Sequence, residues 1–165
     1  MRDPGRERVG IVLSAAAFGE DDRILRVLGP EEGKHGVFQR LGRRRPAGLD
    51  VGVCASFRLR GRAGGLDTLV ESVVTNARVR LRSRYLTLVL AQYGCELVGS
   101  FAREGQAEPK LYGLLETWLL VLDALDADPQ LAVAAALELK TLSFAGVGPA
   151  LDRCAVCGGV LEADP

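Results

Sequence analysis

The segment Val51-Gly-Val-Cys-Ala-Ser-Phe-Arg-Leu-Arg60 is followed by Gly61-Arg-Ala-Gly-Gly65 and then by Leu66-Asp-Thr-Leu-Val-Glu-Ser-Val-Val-Thr-Asn-Ala77. Along the first stretch Val51, Val53, Ala55, Phe57 and Leu59 fall on one face, while Arg58 and Arg60 fall on the other. That two-residue period is the mark of a half-buried strand. Glycines at 61, 64 and 65 read as a hairpin loop, and Leu69, Val70, Val73 and Val74 carry the strand that follows. Toward the N-terminus, residues 9–13 form a short β-branched run and residues 18–22 a turn. Residues 23–28 form a second strand, stopped by Gly29-Pro30. A turn at 31–34 leads to a third strand at 36–41, and residues 43–48 make a basic loop. Short strands broken by Gly-rich turns predict a small closed barrel, and the OB-fold is the five-stranded barrel that binds oligonucleotides.

Beyond this stretch the period lengthens to that of a helix. Residues 85–98 place Leu86, Val89, Leu90, Tyr93 and Leu97 on one face. Residues 110–125 form a second helix, with Pro109 at its start and a stripe of Leu111, Leu114, Leu115, Trp118, Leu119 and Leu122. Asp128 is a candidate N-cap for a third helix at 130–145, which Gly146 and Gly148-Pro149 end. The expected class is therefore α+β: a five-stranded OB-fold barrel followed by an all-α helical region. The division is drawn at residues 1–80 and 81–165, with the link near residues 78–84.

The chain has 165 residues and a net charge of zero, which hides a strong asymmetry. Residues 1–85 hold 17 Lys and Arg against 10 Asp and Glu, and the remainder hold 4 against 11. Sixteen of the first 17 cations are Arg, whose planar fork grips phosphate and stacks on bases. An anionic partner for the first half accounts for this, as does attraction between the two halves. Lys34, Arg40, Arg43, Arg44 and Arg45 lie close together, and Arg58, Arg60 and Arg62 follow. In an antiparallel barrel the third strand, its loop and the fourth strand are neighbours, so these cations can share one face that neutralises phosphates. Of the aromatic residues nearby, Phe57 falls on the core face and Phe38 remains as a stacking candidate, so backbone electrostatics is expected to dominate.

Cys154-Ala-Val-Cys157-Gly-Gly has the spacing of half a zinc knuckle, since two thiolates so placed can grip one tetrahedral Zn²⁺. A closed site needs four ligands, and the one His of the chain, His35, lies in the barrel half. Cys54 and Cys95 read as buried core thiols. Covalent catalysis lacks parts: there is no Walker-type phosphate loop and no Gly-x-Ser-x-Gly, so the chain is not expected to be an enzyme. Glu20, Asp21 and Asp22 read as a solvated turn. No apolar run is long enough to cross a bilayer, and the chain reads as cytoplasmic.

Several stretches, in order, resemble the RecO family. They are Val9-Gly-Ile-Val-Leu13, Phe18-Gly-Glu-Asp-Asp-Arg-Ile-Leu25, Pro30-Glu-Glu-Gly-Lys34 and Phe38-Gln-Arg-Leu-Gly-Arg-Arg44. After them come Leu66-Asp-Thr-Leu-Val-Glu-Ser72 and Leu137-Glu-Leu-Lys-Thr-Leu-Ser-Phe-Ala-Gly-Val-Gly-Pro-Ala-Leu-Asp-Arg-Cys154. The resemblance implies an OB-fold with a helical region, binding and annealing of single- and double-stranded DNA, and association with the nucleoid. It also implies partnership with RecR and with single-strand-binding protein in recombinational DNA repair. On it, Lys34, Arg40, Arg43 and Arg44 occupy positions that touch DNA, and Cys154 and Cys157 are the first zinc pair. The family often carries a second Cys-x-x-Cys further on, and here the sequence stops at Pro165. A protein-interaction adaptor and an RNA-binding OB module are the alternative functions.

Overall fold

A computed structural model of the chain describes residues 6–41, 48–61, 66–127, 129 and 131–161. Five strands close into a barrel: β1 (Arg6–Phe18), β2 (Asp22–Gly29), β3 (Gly33–Arg40), β4 (Cys54–Arg60) and β5 (Asp67–Asn76). Their spatial order is β1-β2-β3-β5-β4, closing back on β1. A 3₁₀ turn at Arg80–Ser83 leads into α1 (Tyr85–Phe101), α2 (Pro109–Ala124) and α3 (Leu131–Phe144). This is the OB-fold barrel followed by helices that the period change foretells.

Two corrections concern the strands. β1 does not stop at Leu13: it runs on through Ser14-Ala-Ala-Ala17 to Phe18, paired with β2 as far as Phe18 opposite Asp22. The Ala run has little strand preference of its own, so pairing with β2 decides its conformation. The third and fourth strands are not neighbours either. β5 lies between them, parallel to β3 through Val37–Asp67 and Phe38–Thr68 and antiparallel to β4. The fourth strand also begins later than its alternation suggests, because Gly52 takes φ +82 and turns the chain before Cys54.

The barrel is filled by Val12, Leu25, Val27, Val37, Leu49, Val53, Ala55, Phe57 and Leu59. A second core lies outside it. Ile11, Leu13, Leu28 and Cys54 face away from the barrel interior and pack with Cys95, Val98, Leu115, Leu119 and their neighbours on the helices. One flank of the barrel is thus apolar on both faces, and the helices cover it. Cys54 and Cys95 are buried thiols as expected, and burial pushes the Cys95 thiol up to about 12.

On α2 the buried residues Leu111, Leu115, Trp118, Leu119 and Leu122 keep the stripe read from sequence. On α1 the buried face is instead Thr87, Ala91, Gly94, Cys95 and Val98, while Leu86, Val89 and Tyr93 are exposed. The reason is close approach: a Cβ on Gly94 would stand 2.5 Å from Trp118 Nε1. The small side of α1 admits the indole, whose N–H donates to Leu90 O at 3.3 Å. The Asp128 cap falls outside the described residues.

Helices and barrel are also joined by backbone. Lys34 N–H donates to Arg103 O at 3.2 Å and Gly105 N–H to Lys34 O at 2.9 Å, so the loop between α1 and α2 lies along β3. Gly33 has φ +68, and a Cβ there would sit 1.8 Å from Gln106 O. Only glycine satisfies both the turn and the contact. Arg78, buried with φ 47, donates from Nη1 to Gly52 O at 2.7 Å and fixes the link between β5 and the helices.

Candidate nucleic-acid interface

Side chains on the barrel alternate, so the buried set fixes the outward set. Leu25 and Val37 fill the interior; Ile24 and Phe38, one step along, face out. The pairing then defines a row across the outer surface: Ala16 on β1, Ile24 on β2, Phe38 on β3, Thr68 on β5 and Arg60 on β4. Two residues further along lies a second row, Phe18, Asp22 and Arg40. Phe18 and Phe38 meet edge to face, with ring centroids 5.8 Å apart and planes at 89°. Phe18 remains 53% exposed, a high value for a ring of that size. The strand spacing puts Arg60 about 10 Å from Phe38, and Arg40 lies about 7 Å away along β3.

The structure thus unites Arg40, Arg60 and Phe38 on one surface. Both arginines are exposed and, among the described residues, neither forms an ion pair. Asp22 stands beside Arg40, with its carboxylate accepting from Leu41 N–H at 3.3 Å. Arg43, Arg44, Arg45 and Arg62 lie outside the described residues, in the stretches that follow Leu41 and Gly61.

Of the other described cations expected on this face, Lys34 is elsewhere and Arg58, two residues from Arg60 on the same side of β4, is ion-paired. Lys34 shares the outer side of β3 but stands opposite Leu28, which packs under the helices. Its ammonium donates to Gly99 O at 2.8 Å and lies 3.9 Å from Glu104. It therefore seals the end of α1, about 20 Å along the strand from Arg40. Arg58 is exposed but paired with Glu71, and Glu7 stands directly across from it on β1. The attraction between the halves is real as well: Glu104 bonds Arg26, and Asp126 bonds Arg80.

Phe18 was missed in sequence because it adjoins Gly19 and reads as part of the turn. The available signal was the outward alternation Ser14, Ala16, Phe18, which holds only if β1 is long enough to include it.

The cysteine pair stands apart from this surface, in the tail after α3. Backbone N–H groups of Cys157 and Val156 hold the Cys154 thiol below its ordinary value. No group of three or more His, Cys, Asp or Glu that could hold a metal occurs among the described residues. At the far end of the barrel His35 is half-buried, with Nδ1 donating to Gly33 O at 3.2 Å; burial lowers its pKa. No described helix is long and apolar enough to cross a membrane.

Residues 6–78 match the family model "Recombination protein O N terminal", and residues 82–164 match "Recombination protein O C terminal". The chain is 37% identical over 164 residues to a DNA repair protein RecO of Anaeromyxobacter dehalogenans (strain 2CP-C), covering 94% of this chain and 63% of that protein. It is 37% identical over 153 residues to that of Desulforudis audaxviator (strain MP104C), covering 90% and 59%. It is 33% identical over 159 residues to that of Myxococcus xanthus (strain DK1622), covering 90% and 62%. The chain spans about three fifths of the length of these relatives.

Proposed function

This chain belongs to the RecO family, and from that premise we propose that its barrel binds single-stranded DNA and promotes annealing in recombinational repair. The observation that carries the reading is the outer surface where Phe38 stands beside Arg40 on β3 and across Thr68 from Arg60, with Phe18 against its other side. Aromatic rings receive bases without regard to sequence, and arginines take the phosphates on either side. The basic run Arg43-Arg44-Arg45 extends the charge beyond Arg40, and its contacts add to the counterions released. Stacking holds a base by its face and leaves its pairing edge open. Neutralised phosphates let a complementary strand approach, so binding of this kind favours annealing and needs no covalent step.

Residues 1–80 supply the nucleic-acid surface in this account, and residues 81–165 brace it and offer surface to RecR and single-strand-binding protein. Lys34 and Arg58 are assigned to bracing and to an ion-pair row in place of DNA contact. Fluorescence anisotropy of a labelled single strand, with the wild type beside Phe38→Ala and Arg40→Ala/Arg60→Ala, tests the assignment. Tight binding by the wild type and loss in both variants supports it. Equal binding by all three refutes the assignment to this surface, absence of binding by the wild type favours an adaptor, and preference for RNA of the same sequence favours an RNA module.

A further inference from the structure

The outer surface of the barrel continues past the aromatic platform toward α1. Two residues along the strands from the row of Ala16, Ile24 and Phe38 lies the row of Ser14, Arg26 and Gly36, a step of about 7 Å. Here β1 carries one extra residue: Val12 pairs with Val27 and Ser14 with Arg26, so Leu13 stands in a bulge. Leu13 reaches under α1, where a Cβ on Gly99 would stand 3.2 Å from its Cδ1. Bulge and helix together frame an open cavity of about 470 Å³. That volume lies within the roughly 300–1,000 Å³ of sites that take a small organic ligand.

The floor of the cavity is apolar, with Leu13 and Cys95 both buried. Its rim is polar: Ser14 comes from β1, and Gln92 and Glu96 stand one turn apart on α1. All three are exposed and lack a partner among the described residues. Arg26 forms the wall on the β3 side. A Cβ on Gly36 would stand 3.2 Å from Arg26 Nη1, so the guanidinium lies against bare backbone, and Glu104 holds its Nη2. A guanidinium already paired with a carboxylate grips phosphate weakly, but its flat face still stacks on a base. A nucleobase has apolar faces and polar edges, and this floor, wall and rim match both.

We propose that the cavity takes one unpaired base of the strand that lies across Phe38. The inference rests on the reading of the platform as a DNA site, and adds strand selection to it. The cavity begins within the reach of one nucleotide from Phe38, on the same outer surface. A base enters only by leaving its stack, and in a duplex it must also break its pairing. The chain therefore holds a single strand more tightly than the duplex made from it. Pairing with a complementary strand withdraws the base from the cavity, which loosens the product once annealing is complete.

The test compares the full chain's affinity for a labelled single strand and for its duplex, by anisotropy at the same salt concentration. Ser14→Phe from the barrel side and Gln92→Trp from the helix side each fill the cavity. Both positions are exposed and belong to neither core, so melting temperatures should stay at the wild-type value. The wild type should favour the strand over the duplex at least about tenfold. Each filled variant should bring that ratio to within about twofold of one, with the salt slope for the strand unchanged, since no phosphate contact is lost. A ratio that either variant leaves at the wild-type value, while Phe38→Ala loses strand binding, overturns the cavity and leaves the platform standing. A wild type that binds duplex as tightly as strand overturns it as well. Equal strand binding by the wild type and Phe38→Ala removes the platform reading, and this inference with it.

Discussion

Phe18 and Phe38 are 20 positions apart in the sequence, yet their rings meet edge to face at 5.8 Å on the outside of the barrel. The contact exists because β1 is long enough to carry Phe18 past the hairpin and onto the row beside Phe38. It makes an aromatic platform where sequence alone offered one isolated ring.

Removing the platform should weaken binding without changing its ionic character. Phe38→Ala is expected to cost about 1–3 kcal/mol per stacked base, or about 5- to 150-fold in affinity. The salt slope should stay the same, since no phosphate contact is lost. Phe18→Ala should act in the same direction with little loss of stability, because the ring is more than half exposed. Anisotropy titrations at two salt concentrations check both statements.

Lys34→Ala should leave oligonucleotide affinity within about twofold of wild type, because its ammonium is spent on Gly99 O and Glu104. The expected loss is in stability, about 1.5–3 kcal/mol for a partly buried charged hydrogen bond. Urea unfolding beside DNA titration separates the two effects.

Gly33→Ala should destabilise the protein by at least about 2 kcal/mol, combining a left-handed backbone with a steric clash. The Cβ would strike Gln106 O, so the α1–α2 loop must lift away from β3. Hydrogen exchange should show that loop opening, with faster exchange at Lys34 and Gly105.

His35 makes stability depend on pH. Burial lowers its folded-state pKa, against the attraction of Glu32 and Asp67 and with the repulsion of Arg8. The unfolded chain takes up a proton near the ordinary value of 6.5 while the folded chain stays neutral. The unfolded state then binds more protons, so stability is full above that value and falls as pH drops through it. His35→Gln should flatten the slope between about pH 7 and 5.5, read from urea midpoints.

The barrel was legible because Val53, Ala55, Phe57 and Leu59 alternate cleanly and all point into it. The stripe of α2 was legible because its buried residues are large. The face of α1 was not, since close packing against Trp118 selects its smallest residues and hydrophobic period favours its largest. Barrel closure was not legible either: β3 meets β5 through two residue pairs, and nothing local announces a parallel contact. That closure decides the site, because it brings Arg60 to Phe38 across Thr68 and leaves Arg58 with Glu71. The side on which Lys34 ends depends on the helices, which no strand pattern reveals.

The most direct test is the affinity of the whole chain for a single-stranded oligonucleotide as a function of salt. Four to six phosphate contacts predict that log K falls against log[salt] with a slope of about −3 to −4. Replacing Arg43, Arg44 and Arg45 by Ala should reduce that slope by about two. No binding at low salt, or a slope that the triple replacement leaves unchanged, would contradict the account.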